Sequence, residues 1–295
     1  MSDIFSINDR QRTILEFSKS TLWFSVSEVA TAFQTTVPPA TIRRDLGELV
    51  EHRILERQGE NKGVRYRATI QSMLFMPYEL SAYYSRDETT RQVQESYNFD
   101  IFPAIKNTQL INDSEIAMLE SATEQFQKNA EGMSPQLHKK ELERFVIEFS
   151  WKSSKIEGNT YSLLDTEFLL QNGIEAQGKS KFETKMILNH KQAYLFIVEA
   201  TRNNTPIDIA FVERLHYLLM RGLGVEHGLR NRPVGISGST YKPLAIKQQI
   251  QEQLNVLMET IKAQNNPYTQ ALTALLGLSY LQPFEDGNKR TARIP

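Results

Sequence analysis

Residues 282–293 read QPFEDGNKRTAR, directly after the run ALTALLGLSYL at 271–281. The run is apolar nearly all round, which predicts a buried central helix. A loop carrying Asp286, Gly287 and Asn288 follows, and a new helix is predicted to begin around Lys289. Gly287 and Asn288 let the backbone turn its amides inward, and a helix start adds positive potential, a combination suited to phosphate. Arg290 and Arg293 stand three apart and so share a helix face. Cations at a helix start are unfavourable unless an anion binds there. Asp286 is placed to hold Mg²⁺ bridging phosphate oxygens.

Upstream of this stretch the pattern is helix after helix from about residue 115. Leu142, Phe145, Val146, Phe149 and Ile156 mark one apolar face, and Met186, Ala193, Ile197 and Ala200 another. Ser162 with Asp165 has capping-box spacing for a helix ending near Gly173. Thr205-Pro206 is expected to open a helix through Val212, Leu215 and Leu219. Ile246, Ile250, Leu254, Leu257 and Ile261 form a further stripe. LRNRPVGISGSTYKPL at 229–244 interrupts the helices, and two short β-prone pieces predict a small hairpin there. Residues 71–115, rich in aromatics (Tyr78, Tyr83, Tyr84, Tyr97, Phe99, Phe102), are expected to be a connector packed on the second domain, because a true linker would be polar.

The chain has 295 residues, 40% hydrophobic and 23% charged, with net charge −1. That is room for two domains of ordinary globular composition. It contains no cysteine, which excludes a disulfide framework, a thiolate zinc site and a cysteine nucleophile. No apolar stretch reaches the ~18–20 residues of a membrane span, and MSDIFSINDR lacks the pattern of a signal peptide. A cytoplasmic protein with no membrane partner is the expectation. His138, His190, His216 and His227 lack metal-ligand spacing and receive no role.

Residues 1–70 carry 10 Lys/Arg against 9 Asp/Glu. Asn8 and Asp9 can cap a helix bearing Ile14 and Leu15, and Ser25 with Glu28 can box the start of a second bearing Val29 and Phe33. In VPPATIRRDLGELVEHRIL, Pro39 suits a first turn, and Ile42, Leu46, Leu49 and Val50 recur at helical spacing. ILERQGENKGVRYRAT then reads as strand, turn and strand, with Arg57, Lys62, Arg65 and Arg67 along it. Three helices closed by a basic hairpin resemble a winged helix-turn-helix. The resemblance implies duplex DNA contacts by Thr41, Arg43 and Arg44, with the wing on phosphate. Paired with acidic neighbours, the same arginines would instead form a solvated face. Winged helices also serve as dimerisation units, so a homodimer stays open.

QPFEDGNKRTAR resembles the motif of the Fic family, HxFx(D/E)GN(G/K)RxxR, departing only at Gln282. The resemblance implies an all-helical Fic fold with a small β-hairpin flap at 234–243, over roughly residues 75–295. The domains expected are 1–70, the connector 71–115 and a Fic domain at 116–295. The implied activity is transfer of AMP from Mg·ATP to a hydroxyl of a protein target, itself included. By position, Phe284 anchors the loop and Asp286 binds Mg²⁺. Gly287, Asn288 and Lys289 build the anion hole, while Arg290 and Arg293 hold the outer phosphates. SSKIEGN at 153–159 is similar to that family's inhibitory motif, (S/T)xxxE(G/N). Ser153 and Glu157 lie one helical turn apart, and the resemblance implies that Glu157 pairs with Arg293 and restrains ATP.

Two departures bear on activity. Gln282 stands at the family's histidine, and an amide does not titrate, so it cannot take the target's proton. Loss of such a base costs on the order of 10²–10⁴ in rate. The family also continues through a further helix where this sequence stops at Pro295, so the domain is expected to be C-terminally truncated. The competing expectation is a catalytically dead nucleotide-binding regulator of transcription, acting through the winged helix.

Overall fold

The side chain of Asn8 accepts from the amide of Gln11, whose own side chain returns to the Asn8 amide, and α1 (Asp9–Ser20) starts there. The same box, Ser25 with Glu28, starts α2 (Val26–Ala32). Pro39 opens α3 (Pro39–Glu51). Strands β1 (Leu55–Gln58) and β2 (Arg65–Ala68) pair antiparallel, Leu55 opposite Ala68 and Gln58 opposite Arg65. Then come α4 (Ile70–Phe75) and α5 (Leu80–Tyr84). The computed structural model describes residues 7–34, 36–76, 79–87, 90–91 and 95–294. Tyr78, Pro295 and the Lys62 side chain lie outside the described set.

The described residues fall into two compact units. One lies within Met1–Gln94, Pro103–Gln109 and Gly238–Thr240, the other within Glu95–Phe102, Leu110–Ser237 and Tyr241–Pro295. The core of the first gathers Ile14, Phe24, Val29, Ile42, Leu46, Leu49 and Leu55. Each such side chain contributes about 1.5–3 kcal/mol on burial. Arg10 reaches across to the buried Asp45 with a two-pronged ion pair, Nε to Oδ2 at 2.7 Å and Nη2 to Oδ1 at 3.1 Å, tying α1 to α3.

The remaining elements are α6 (Ile101–Lys106), α7 (Asp113–Glu131), α8 (Pro135–Ile156), α9 (Leu163–Asn172), α10 (Lys181–Arg202), α11 (Ile209–Met220), α12 (Lys247–Lys262), α13 (Pro267–Leu281) and α14 (Asn288–Ala292). The molecule is mostly helical, as its periodicity predicts. In the second unit α8 packs on α10, α10 on α11, α12 on α13 and α13 on α14. At Gly277 of α13 a Cβ would stand 2.3 Å from a methyl of Leu257, so glycine permits the close approach of α12.

Several local expectations are corrected. The start of α11 is capped by Asp208, accepting from the Phe211 amide at 2.8 Å, rather than by Thr205-Pro206. Ile246 lies outside its helix and is exposed. On α8 the inward face is Val146, Ile147, Ser150, Ser153 and Ser154, while Phe145 and Ile156 are exposed. The central helix α13 is not buried all round, since Leu275 and Leu276 are 37% and 49% exposed. No strand ladder forms within 234–243 among the described residues; Lys242 instead makes an isolated bridge with Ser96. Pro233 and Pro243 bracket that segment and cannot donate to a ladder.

Candidate functional site

The end of α13 and the start of α14 enclose the 282–288 loop. Gln282 caps α13 in the left-handed region (φ 51°, ψ 58°) and is buried. Its Nε2 donates to the Ser279 carbonyl at 2.7 Å. The Phe284 ring is fully buried and stacks on His216, with centroids 3.8 Å apart. Asn288 binds its own loop from the inside: Oδ1 accepts from the Phe284 amide and Nδ2 donates to the Phe284 carbonyl, both at 2.8 Å. Its side chain therefore braces the loop. Gly287 has φ 77°, and a Cβ there would fall 2.4 Å from Met220 Sδ. Only glycine fits that turn.

Asp286 sits at the rim with its side chain 60% exposed. Its Oδ1 accepts from the Gly287 amide at 2.6 Å, and Oδ2 from Arg290 Nη2 at 2.9 Å. The Arg290 side chain is nearly wholly buried, and its Nε and Nη1 have no hydrogen-bond partner among the described residues. Lys289 lies exposed on the first turn of α14. Among the described residues no group of three or more His, Asp or Glu could hold a metal by itself. A single rim carboxylate fits Mg²⁺ arriving with a nucleotide, because that ion is commonly held by one or two carboxylates plus phosphate oxygens.

Arg293 turns toward the end of α8. Its Nη2 donates to Glu157 Oε1 at 2.6 Å, and its Nε lies 3.3 Å from Ser153 Oγ. Ser153 Oγ is 2.9 Å from His190 Nε2, and His190 Nδ1 is 2.9 Å from the Met186 carbonyl. A carbonyl only accepts, so Nδ1 carries the proton and Nε2 accepts from the serine. His190 and His216 are fully buried. Burial lowers both pKa values to about 4, helped for His190 by Arg290 and Arg293. The sequence offered no sign of either histidine's part. Each is recruited from a different helix, 37 residues from Ser153 and 70 from Asp286 respectively.

In the first unit Thr41, Arg43 and Arg44 lie on α3, with both arginines exposed. Arg44 approaches Glu48 at 4.0 Å, Arg65 pairs with Glu28 at 2.8 Å, and Arg67 pairs with Glu56. Arg43 and Arg57 have no carboxylate partner among the described residues.

Residues 206–294 match the model of the Fic/DOC family, and residues 10–59 match that of the DeoR-like helix-turn-helix domain. The chain carries a Fic/DOC domain. The protein adenylyltransferase Fic of Nematostella vectensis is 26% identical over 167 residues, covering 53% of this chain and 38% of that protein. The protein adenylyltransferase fic-1 of Caenorhabditis elegans is 25% identical over 167 residues, covering 53% of this chain and 33% of that protein. The chain thus spans well under half the length of these curated relatives. A solved fragment of Fic-1 from C. elegans superposes with a TM-score of 0.50 at 20% identity, over 91% of this chain and 73% of that one. A Fic family protein from Desulfovibrio desulfuricans G20 gives 0.51 at 21% identity, over 62% and 56%. At those identities the Fic fold alone is shared. Among the described residues no helix is long and apolar enough to cross a membrane.

Proposed function

We propose that the Fic domain binds Mg·ATP at the 286–293 loop and transfers AMP to a protein hydroxyl, slowly and under restraint. The carrying observation is Arg290, which keeps two buried donors, Nε and Nη1, without a partner among the described residues. Leaving such donors unsatisfied is costly, and a phosphate would satisfy both. Asp286 would hold Mg²⁺, which neutralises phosphate charge and orients the triphosphate when bound. Arg290 and the amides at the start of α14 would bind the outer phosphates. Glu157, at 2.6 Å from Arg293, would keep the second arginine from the γ-phosphate and so restrain transfer. Gln282 would hydrogen-bond a target hydroxyl without taking its proton. Calorimetry with Mg·ATP tests this reading. Binding should be measurable and should tighten in Glu157→Gly; no heat in either protein would overturn it.

A second reading is favoured by one contact. The Gln282 amide donates back to the Ser279 carbonyl, an arrangement that serves a loop cap as well as a reacting group. On this reading the domain senses nucleotide, and the helix-turn-helix binds duplex DNA through Thr41, Arg43 and Arg44, controlling transcription without catalysis.

A further inference from the structure

Arg230 lies outside the motif, yet its guanidinium reaches three backbone carbonyls. Nε donates to the Gln282 carbonyl at 2.7 Å, Nη1 to Arg232 at 2.8 Å and Nη2 to Leu244 at 2.5 Å. Its own amide donates to the Pro283 carbonyl at 3.1 Å. The residue is 4% exposed, and no carboxylate pairs with it among the described residues. Desolvating a cation that no carboxylate compensates is costly, so neutral packing would hold the fold at less cost. The specific gain is geometric. Three different nitrogens of one rigid, planar fork each reach a separate carbonyl, a spread that an ammonium, whose donors all leave one nitrogen, does not reproduce.

What the fork fixes is informative. Gln282 is in the left-handed region without being glycine, a strained conformation that persists only when its surroundings hold it. Its carbonyl is one of those left over at the end of α13, where intrahelical partners run out. Tyr241, near the end of the same 230–244 stretch, donates its hydroxyl to the Tyr280 carbonyl at 3.0 Å. Tyr280 in turn stacks between Tyr97 and Tyr241, each ring centroid 5.0 Å away. Side chains of the 230–244 stretch therefore satisfy two carbonyls at the end of the helix that delivers position 282, those of Tyr280 and Gln282.

We propose that Arg230 is a positioning residue: one guanidinium sets the backbone at position 282 and both ends of the 232–244 segment, keeping the transfer position and that segment in mutual register. This deepens the AMP-transfer reading and rests on it. Arg230 touches neither nucleotide nor target; it acts through the Gln282 carbonyl and the ends of the segment. A displacement of about 1 Å at a reacting position can cost on the order of 10² in rate.

The test uses the full chain carrying Gln282→His and Glu157→Gly as parent, compared with Arg230→Lys and Arg230→Gln in that background. Transfer kinetics and amide hydrogen exchange are both read. Either change should lower kcat at least about tenfold with KM for Mg·ATP within about threefold. Exchange should rise together at 231–245 and 280–284 while α1–α3 stay unchanged. An unaltered kcat in Arg230→Lys, or a rise confined to one of the two segments, would overturn the proposal. So would parallel loss of kcat and Mg·ATP affinity, which marks general collapse. If the parent transfers no AMP, the adenylyl reading fails by itself. Exchange in the otherwise unmodified chain then decides Arg230 alone: a joint rise upholds the tie, and a separate one overturns it.

Discussion

Glu157 Oε1 lies 2.6 Å from Arg293 Nη2, joining residues 136 apart in sequence. The carboxylate ends α8 and the guanidinium follows α14, so one ion pair ties the end of α8 to the end of the short helix that carries Arg290. Ser153 and His190 continue the contact inward to the Met186 carbonyl. Arg293 is thereby held by an acid, a hydroxyl and, at one remove, a neutral imidazole.

Asn288 should matter more to the loop's integrity than to any ligand. Replacement by alanine leaves the buried amide and carbonyl of Phe284 without their partners, at about 1–3 kcal/mol for each unsatisfied group. Chemical denaturation of Asn288→Ala should show a loss of about 2–4 kcal/mol. A loss below about 0.5 kcal/mol, the scatter of ordinary surface changes, would contradict the bracing.

Acid should weaken the second unit through its histidines. His190 and His216 titrate at about 4 when folded and near 6.5 when unfolded. Between those values the unfolded chain binds more protons, so stability is fully present above about 6.5 and falls as pH drops toward about 4. Each imidazole contributes at most about 1.4 kcal/mol per pH unit. His190→Gln should reduce the stability difference between pH 7 and pH 5 by up to about 2 kcal/mol. An unchanged difference would contradict a buried neutral His190.

The helix-turn-helix offers a separate test. Arg65 and Arg67 are already paired with acids, whereas Arg43 is exposed and has no such partner among the described residues. If the unit binds duplex DNA, Arg43→Ala should weaken binding and lower the salt slope by about one. Arg65→Ala should change it less. Equal effects, or no DNA retained at low salt, would contradict this reading of α3.

How much of this was legible in sequence depends on how local the cause is. The caps at Asn8, Ser25 and Ser162 were readable because both partners sit within three residues. The turn at Gly287 was readable for the same reason. Ser153 and Glu157 stood out by motif spacing. Arg230, His190 and His216 did not stand out, because each works across tens of residues on carbonyls or a hydroxyl that no spacing marks. Apolar runs misled where burial is one-sided. Leu275 and Leu276 of α13 face outward although the run is apolar throughout, since composition reports transfer energy and not which face a neighbour covers. The segment 234–243 misled because β-propensity does not say whether a partner strand is at hand; the bridge it makes, at Lys242, is to Ser96.

Arg10 and Asp45 give a compact check on the first unit. Asp45 is 1% exposed and both its oxygens are taken by Arg10. Arg10→Met leaves that buried carboxylate without its partner and should destabilise the unit in chemical denaturation by more than the loss of an exposed pair would. A loss under about 1 kcal/mol, the usual worth of an exposed pair, would contradict a structural role for this ion pair.

On the proposed reading, Glu157 restrains a transfer site whose proton acceptor is missing at Gln282. Intact-mass measurement of AMP added to the chain after incubation with Mg·ATP tests it most directly, across the unmodified protein, Gln282→His, Glu157→Gly and the double variant. Almost no addition is expected for the first and third, a little for Gln282→His, and for the double variant clearly more than the two single variants together, because both steps must succeed for one product to form. Equal addition in Gln282→His and the double variant would contradict restraint by Glu157, and silence in all four would contradict AMP transfer itself.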